Sequence, residues 1–296
     1  MNRGKLHEYF LKYPRIGKKV RELFYMITVP SKKEREKIKF EIHLAEHCNL
    51  NCKCCNNFSP LAKEEYLNYD IFLRDIQRMK ELFGGEAEQI TLMGGEPLLN
   101  RDICNIICKV RHAFSKCKLV VVTNGILLLN MPIDFWTCCF DNQVEISVSY
   151  YPIKLEIEKI KSVAKKNNVE IKFEIENGTI TENYTERIPL DLEGKQNKKL
   201  NFKMCYKSNN CIQLKDGKLY TCSLIPNIVH FNNYFCENLD ITEDDYVDIY
   251  KAKSKEEIIK KLNTPPAFCK YCDWANMESG IKWGISKKDK EEWAEL

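Results

Sequence analysis

At 296 residues, 44% of them hydrophobic and 30% charged, the chain can bury a sizeable core as one large domain with an appendage, or as two domains. A formal net charge of +4 gives no reason to expect a nucleic-acid partner, and behind the opening Met-Asn-Arg-Gly-Lys there is neither a signal region nor an apolar run long enough to cross a bilayer. Fifteen cysteines are many for a protein of this kind, and in a reducing cytoplasm, the expected location, clustered thiols read as cluster ligands before they read as disulfides.

Residues 1 to 37 form a basic lead segment in which His7, Tyr9, Phe10, Tyr13, Phe24 and Tyr25 sit among many lysines and arginines. It reads as a helix capping the edge or bottom of a barrel, or as an amphipathic patch drawn to lipid headgroups or a pyrophosphate-bearing substrate. From residue 38 strand and helix alternate. Strands are predicted at 39–46, 88–93, 118–123, 144–150 and 169–175, and helices near 66–83, 101–115 and 153–167. Such alternation argues for a parallel sheet wound by helices.

Each strand has an apolar set, Ile42 and Leu44, Ile90 and Leu92, Val120 and Val122, Ile146 and Val148, and Ile171, Phe173 and Ile175. The intervening positions are more polar: Glu41 and His43, Thr91 and Met93, Val121 and Thr123, Ser147 and Ser149, and Lys172, Glu174 and Glu176. Doubly covered parallel strands read as continuous apolar runs. The alternation therefore predicts apolar faces under the helices and polar faces around a ligand-filled lumen, where His43, Lys172 and Glu174 are substrate candidates.

The first strand leads into Cys48-Asn-Leu-Asn-Cys52-Lys-Cys54-Cys55. Cys48, Cys52 and Cys55 follow the spacing C-x3-C-x2-C, three thiolates for one cubane cluster whose fourth iron is left to a small molecule. The second strand leads into Gly94-Gly95-Glu96-Pro97, where the glycines permit close backbone approach to a ligand and Glu96 can accept from an ammonium. A structural zinc knot beside an ordinary turn is the alternative reading.

These two motifs, in this order, resemble the radical S-adenosylmethionine (SAM) superfamily. The resemblance implies a partial (β/α)6 TIM-like barrel with a 4Fe-4S cluster, SAM chelating the open iron, and a 5'-deoxyadenosyl radical formed by reductive cleavage. Gly94, Gly95, Glu96 and Pro97 are then SAM contacts; Thr123 and Asn124 touch the methionyl group or the substrate; Ser147 and Ser149 touch the SAM carboxylate or ribose. Where the superfamily often carries an aromatic residue before the third cysteine this chain has Cys54, so Phe58 is the substitute for stacking on adenine. A glycine-rich element on the fifth strand is not recognisable in residues 171–178.

Further on, Cys205, eleven residues, Gly217, four residues, Cys222 and a later Cys269-Lys-Tyr-Cys272 resemble the shortened SPASM module called the twitch domain. That implies a small C-terminal auxiliary-cluster domain with a second 4Fe-4S cluster on Cys205, Cys222, Cys269 and Cys272. Asp216-Gly217 signals a tight hairpin that returns Cys222 toward the residues before it; Cys211, near the hairpin base, rivals Cys205, and zinc rivals the cluster. Cys104, Cys108, Cys117, Cys138 and Cys139 read as core residues. The expected division is 1–37 lead segment, 38–200 barrel, 201–280 auxiliary domain and 281–296 tail.

The cysteine loop through Ala62, the Asp216–Tyr220 hairpin and the Cys-x-Tyr-Cys ending also look like radical SAM proteins of bacterial surface-polysaccharide loci. A single auxiliary cluster is shared with aminocyclitol dehydrogenases and with peptide maturases. The first expectation is oxidation or epimerisation of a hydroxyl-bearing carbon on a sugar, polyol or nucleotide-linked glycan, with flavodoxin or ferredoxin as external electron donor. Cys211 or Cys236 would be the hydrogen donor in an epimerase. Maturation of a ribosomal peptide is the second, set back by a lead segment too short for a winged leader-binding domain; a non-catalytic two-cluster electron carrier is the third.

Overall fold

A computed structural model describes residues 38–174, 178–179, 182–208 and 210–295, with a few positions between 20 and 27. The lead-segment reading and the strand positions Ile175 and Glu176 lie outside the described residues.

Four β/α steps and a fifth strand build the first half: β1 (Lys39–Ala45), α1 (Tyr69–Phe83), β2 (Gln89–Gly94), α2 (Ile103–Ala113), β3 (Lys118–Thr123), α3 (Ile133–Asp141), β4 (Val144–Ser149), α4 (Ile157–Lys166) and β5 (Glu170–Glu174). Then follow β6 (Gly178–Thr179), β7 (Glu182–Arg187), α5 (Lys198–Met204), β8 (Gln213–Lys215), β9 (Lys218–Tyr220), α6 (Leu224–Phe235), β10 (Tyr246–Asp248), α7 (Lys255–Leu262) and β11 (Glu278–Lys282). The five predicted strands and three predicted helices are present, shorter by a residue or a few at several ends. Helix α3 was not predicted; its run Phe135-Trp136-Thr-Cys138-Cys139-Phe140 shows little polar face, and Phe135, Trp136 and Cys139 are buried.

The main sheet has eight strands in the order β10-β9-β8-β1-β2-β3-β4-β5. From β8 to β5 all neighbours are parallel, the parallel sheet expected from the alternation, and its six strands make the partial barrel that the resemblance implies. The hairpin assigned to the auxiliary unit therefore continues the barrel sheet: β8 lies beside β1, with Ile42 opposite Leu214. Its turn uses Asp216 and Gly217 at φ +48° and +72°, the left-handed pair a two-residue hairpin needs. Asp75 of α1 clamps it, accepting from Gly217 N at 2.7 Å and from the Tyr250 hydroxyl at 2.6 Å.

Helix α1 shows how local sequence sets the frame. Asn68 caps its start by accepting from Ile71 N, Gly84 ends it at φ +62°, and Phe72, Ile76, Met79 and Phe83 at helical spacing enter the core. There they meet Ile42, Leu44, Ile90, Leu92, Ile146 and Val148, the faces the alternation assigned to the helices. On β3 the assignment reverses. Leu119 and Val121 pack under the helices and Val122 lines a cavity, since a run of three valines carries no alternation to read.

A second apolar cluster joins Phe58, Tyr220, Phe231, Phe268 and Trp293, so the C-terminal segment packs onto the cysteine loop. A small sheet of order β11-β7-β6 stands beside it. No helix among the described residues is long and apolar enough to cross a membrane.

Candidate active site

The cysteine loop leaves the end of β1 and turns through two residues in the left-handed region, Asn51 at φ +52° and Cys54 at φ +56°. Cys48, Cys52 and Cys55 line a cavity of about 760 Å³, walled further by Met93, Gly94, Gly95, Val122, Thr123, Asn124 and Ser149 from the ends of β2, β3 and β4. Among the described residues no three His, Cys, Asp or Glu side chains converge closely enough to hold one metal ion. The three thiols are arranged around a space.

Each of these cysteines is held. Cys48 Sγ accepts from Leu50 N at 3.4 Å and from Asn124 Nδ2 at 3.6 Å, while Asn124 also donates to Asn49 Oδ1 at 2.7 Å. Trp283 Nε1 donates to Cys52 Sγ at 3.2 Å, and Trp293 Nε1 donates to the Cys55 carbonyl at 2.9 Å. Burial pushes the Cys48 thiol up to about 11 and the Cys52 thiol up to about 12, so both are neutral until a bound cation draws off their protons. Three soft donors on one loop, facing a cavity that also exposes the unpartnered buried Ser59 Oγ, fit an iron-sulfur cluster with one open position.

The glycines serve a different approach from the one expected. A Cβ on Gly94 would lie 2.4 Å from the Ala45 carbonyl oxygen, and one on Gly95 would lie 2.0 Å from that of His47. Their bareness lets the β2 turn press against the backbone leading into the cysteine loop. Gly95 N donates to Ala45 O at 2.8 Å and Glu96 N to His47 O at 3.1 Å.

Glu96 is fully buried and absent from the cavity wall. Its Oε1 accepts from the Thr123 hydroxyl at 2.7 Å and from Leu98 N at 3.0 Å, and its Oε2 accepts from Asn124 N at 2.9 Å. Burial raises its pKa against these donors. The side chain ties the β2 turn to the end of β3, and Pro97 beside it is buried at the start of a short 3-10 turn.

Several predicted site residues stand elsewhere. Phe58 is fully buried against Phe231 and Trp293, with ring centroids 5.8 and 6.2 Å away, and does not reach the cavity. His43 is buried beside the network in which Glu46 bonds His230 at 2.9 Å and Lys215 at 2.8 Å; desolvation lowers its pKa to about 4. Its two ring nitrogens have no hydrogen-bond partner, and it does not line the cavity. Ser147 is buried while Ser149, one strand repeat on, reaches the wall. Lys172 and Glu174 lie exposed on the edge strand β5, Lys172 paired with Glu145 and Glu170. Cys236 caps α6 at φ +54° on the exposed surface.

The cavity is also lined by Glu41, Glu186, Tyr206, Lys207 and Cys211. Cys211 hydrogen-bonds the Glu41 carboxyl, and burial raises Glu41 to about 7 with Lys207 acting the other way. Glu41 Oε2 has no hydrogen-bond partner. Glu41 was legible only as a polar position on a strand; nothing in its neighbours marked it for this wall.

Cys205, Cys222, Cys269 and Cys272 line a second, small cavity of about 30 Å³ with Ile225, Phe268 and Trp274. Cys205 caps α5, and Asn201 on that helix donates to the Cys269 carbonyl at 2.8 Å and to the Cys272 carbonyl, binding the two cysteine segments together. Burial pushes the Cys222 thiol up to about 12. Cys211 faces the large cavity instead, and Lys207 lines both.

Residues 42–156 match the Radical SAM superfamily. An S-adenosylmethionine-dependent nucleotide dehydratase of Selenomonas ruminantium is 33% identical over 93 residues, 31% of this chain and 31% of that protein. A GTP 3',8-cyclase of Helicobacter pylori is 29% identical over 130 residues, covering 43% of this chain and 38% of the cyclase. The chain thus spans about a third of the length of these relatives. The crystal structure of BtrN in complex with AdoMet and 2-DOIA superposes with a TM-score of 0.52 at 12% identity, covering 88% of this chain and 98% of that one, a likeness of fold. The cysteine loop, the glycine turn and the parallel strands that carry them all lie inside the segment, residues 42–156, that matches the Radical SAM superfamily.

Proposed function

We propose that this protein is a radical SAM enzyme with two 4Fe-4S clusters that oxidises or epimerises a hydroxyl-bearing carbon of a sugar, polyol or nucleotide-linked glycan in the cytoplasm. The observation that carries the reading is the presence of two separate cysteine sets, each around its own cavity, with Lys207 on the wall of both. Cys48, Cys52 and Cys55 would hold the first cluster; Cys205, Cys222, Cys269 and Cys272 would hold the second, in a twitch-like unit within residues 201–280 whose β8–β9 hairpin extends the barrel sheet. When bound, the two groups supply a 5'-deoxyadenosyl radical from SAM and a one-electron acceptor, respectively.

The chain's own residues handle the rest. Asn124 fixes the loop at Cys48, and Thr123, Ser149 and the turn backbone offer polar contacts to SAM along the wall. Glu41 is a carboxyl group on the cavity wall, and with its pKa raised to about 7 it is suited to accept the substrate hydroxyl proton near neutral pH. Cys211 beside it is kept protonated by burial, the state in which a thiol can return a hydrogen atom, so the same wall serves an epimerase. The sequence relatives named for nucleotide substrates favour a nucleotide-linked glycan over a free polyol. An external flavodoxin or ferredoxin would supply the reducing electron.

Anaerobic reconstitution, iron and sulfide counting, and a SAM-cleavage assay under dithionite test the core of the reading. About eight iron atoms per chain and 5'-deoxyadenosine formation are expected from two cubanes; four or fewer, or no cleavage, would remove it. A panel of nucleotide-linked sugars, free polyols and peptides, scored for stimulated 5'-deoxyadenosine release, separates the sugar reading from the peptide-maturase reading.

A further inference from the structure

The C-terminal segment does more than end the chain. Lys53 N donates to the Gly284 carbonyl at 2.8 Å, and Ser286 N donates to the Asn51 carbonyl at 2.9 Å. Cys52 and Ile285 form an antiparallel bridge. Residues 283–286 therefore lie along the cysteine loop as an added extended strand, about 230 residues away in sequence.

Trp283 opens this strap directly after β11, whose antiparallel pairing with β7 fixes where it leaves the small sheet. Its ring lies tilted against Tyr151, with centroids 5.9 Å apart, and both side chains are on the wall of the large cavity. The indole N–H is aimed at Cys52 Sγ, 3.2 Å away. An indole nitrogen is a donor only, so the sulfur is the acceptor whatever its protonation state. Backbone pairing on both sides of Cys52 holds the donor and the acceptor in register.

The geometry points to Trp283 as a positioning residue of the cysteine loop, whose N–H, donated to the Cys52 sulfur, raises the reduction potential of the iron-sulfur cluster that this sulfur would hold. The inference rests on the radical SAM reading of that loop. A hydrogen bond to a ligating sulfur draws electron density away from the iron and stabilises the reduced form, which carries more negative charge. Reduction is the step on which SAM cleavage depends, so a segment remote in sequence would set how readily the cluster accepts its electron.

The test uses the full chain with three forms of position 283: native Trp, Trp283→Phe, and a benzothienylalanine replacement that keeps the ring shape while exchanging the N–H for sulfur. The cluster at the loop is identified by the change of its electron paramagnetic resonance signal on adding SAM, and its reduced fraction is followed against potential. Both variants should load the native amount of iron yet show a reduced-to-oxidised ratio roughly three- to tenfold lower at the native midpoint, where tenfold corresponds to 59 mV for one electron. An unchanged midpoint in the benzothienylalanine form, with iron retained, overturns the inference. Loss of iron from that isosteric form overturns it too, because the N–H would then be a tether for assembly. If the native protein shows no SAM-responsive signal, it is the radical SAM reading that fails, a different outcome from an unshifted midpoint.

Discussion

Replacing Glu96 by alanine separates two roles that its motif does not distinguish. The carboxylate is fully buried and accepts from Thr123, Leu98 N and Asn124 N. Hydrogen bonds to a charged group are worth about 1.5 kcal/mol each at the low end, so three amount to roughly 4.5 kcal/mol. Relief of part of the carboxylate's desolvation, on the order of 1–2 kcal/mol, offsets some of this loss. The net destabilisation is about 3 kcal/mol, which in a chain of this size lowers the melting temperature by roughly 5 °C. Glu96→Gln should fall between, since its amide keeps one acceptor and presents donors to donors. Thermal unfolding of the cluster-free proteins, followed by circular dichroism, gives the shift, and isothermal titration of SAM to the reconstituted proteins gives the affinity. A Glu96→Ala protein that melts with the wild type while losing SAM affinity would refute the tie between β2 and β3 and restore a direct contact with the SAM ammonium.

Replacing Cys48, Cys52 and Cys55 together by alanine should remove about half the iron and end 5'-deoxyadenosine formation, measured by iron assay and chromatography; persistent cleavage would refute the ligand assignment. Cys269→Ala should keep SAM cleavage, lose the other half of the iron and fail to give a carbonyl product. A product that instead inverts a carbon and gains solvent deuterium, with the loss moved to Cys211→Ala, would select the epimerase. His43 is kept neutral by burial, with a folded pKa of about 4 against 6.5 when free, so as pH falls from about 6.5 the unfolded chain takes up a proton that the folded one refuses. Stability should drop by up to about 3 kcal/mol by pH 4, from 1.36 kcal/mol per unit, and His43→Leu should flatten that part of the urea-unfolding pH profile; an unchanged profile would mean that His43 titrates normally.

What the sequence determined by itself is what lies close along the chain. A three-thiol loop announces itself because its ligands fall within eight residues, the Asp216-Gly217 hairpin because two left-handed positions need those residues, and the strands because period-two patterning marks a sheet with one apolar face. Only the tertiary structure decided which polar positions reach the cavity. His43 and Ser147 share a predicted lumen face with Glu41 and Ser149, yet the first two are sealed by neighbouring elements and the second two are not. The all-valine centre of β3 carried no facing signal, and Phe58 went to the core because α6 and Trp293 close over it. Glu96 turned inward because the end of β3 presents it with a hydroxyl and a backbone N–H. Trp283 reaches Cys52 only because residues 283–286 lie along the cysteine loop from about 230 residues away in sequence. Each of these depends on partners tens to hundreds of residues away, and contacts of that kind are fixed by sheet order and packing, which local periodicity does not encode.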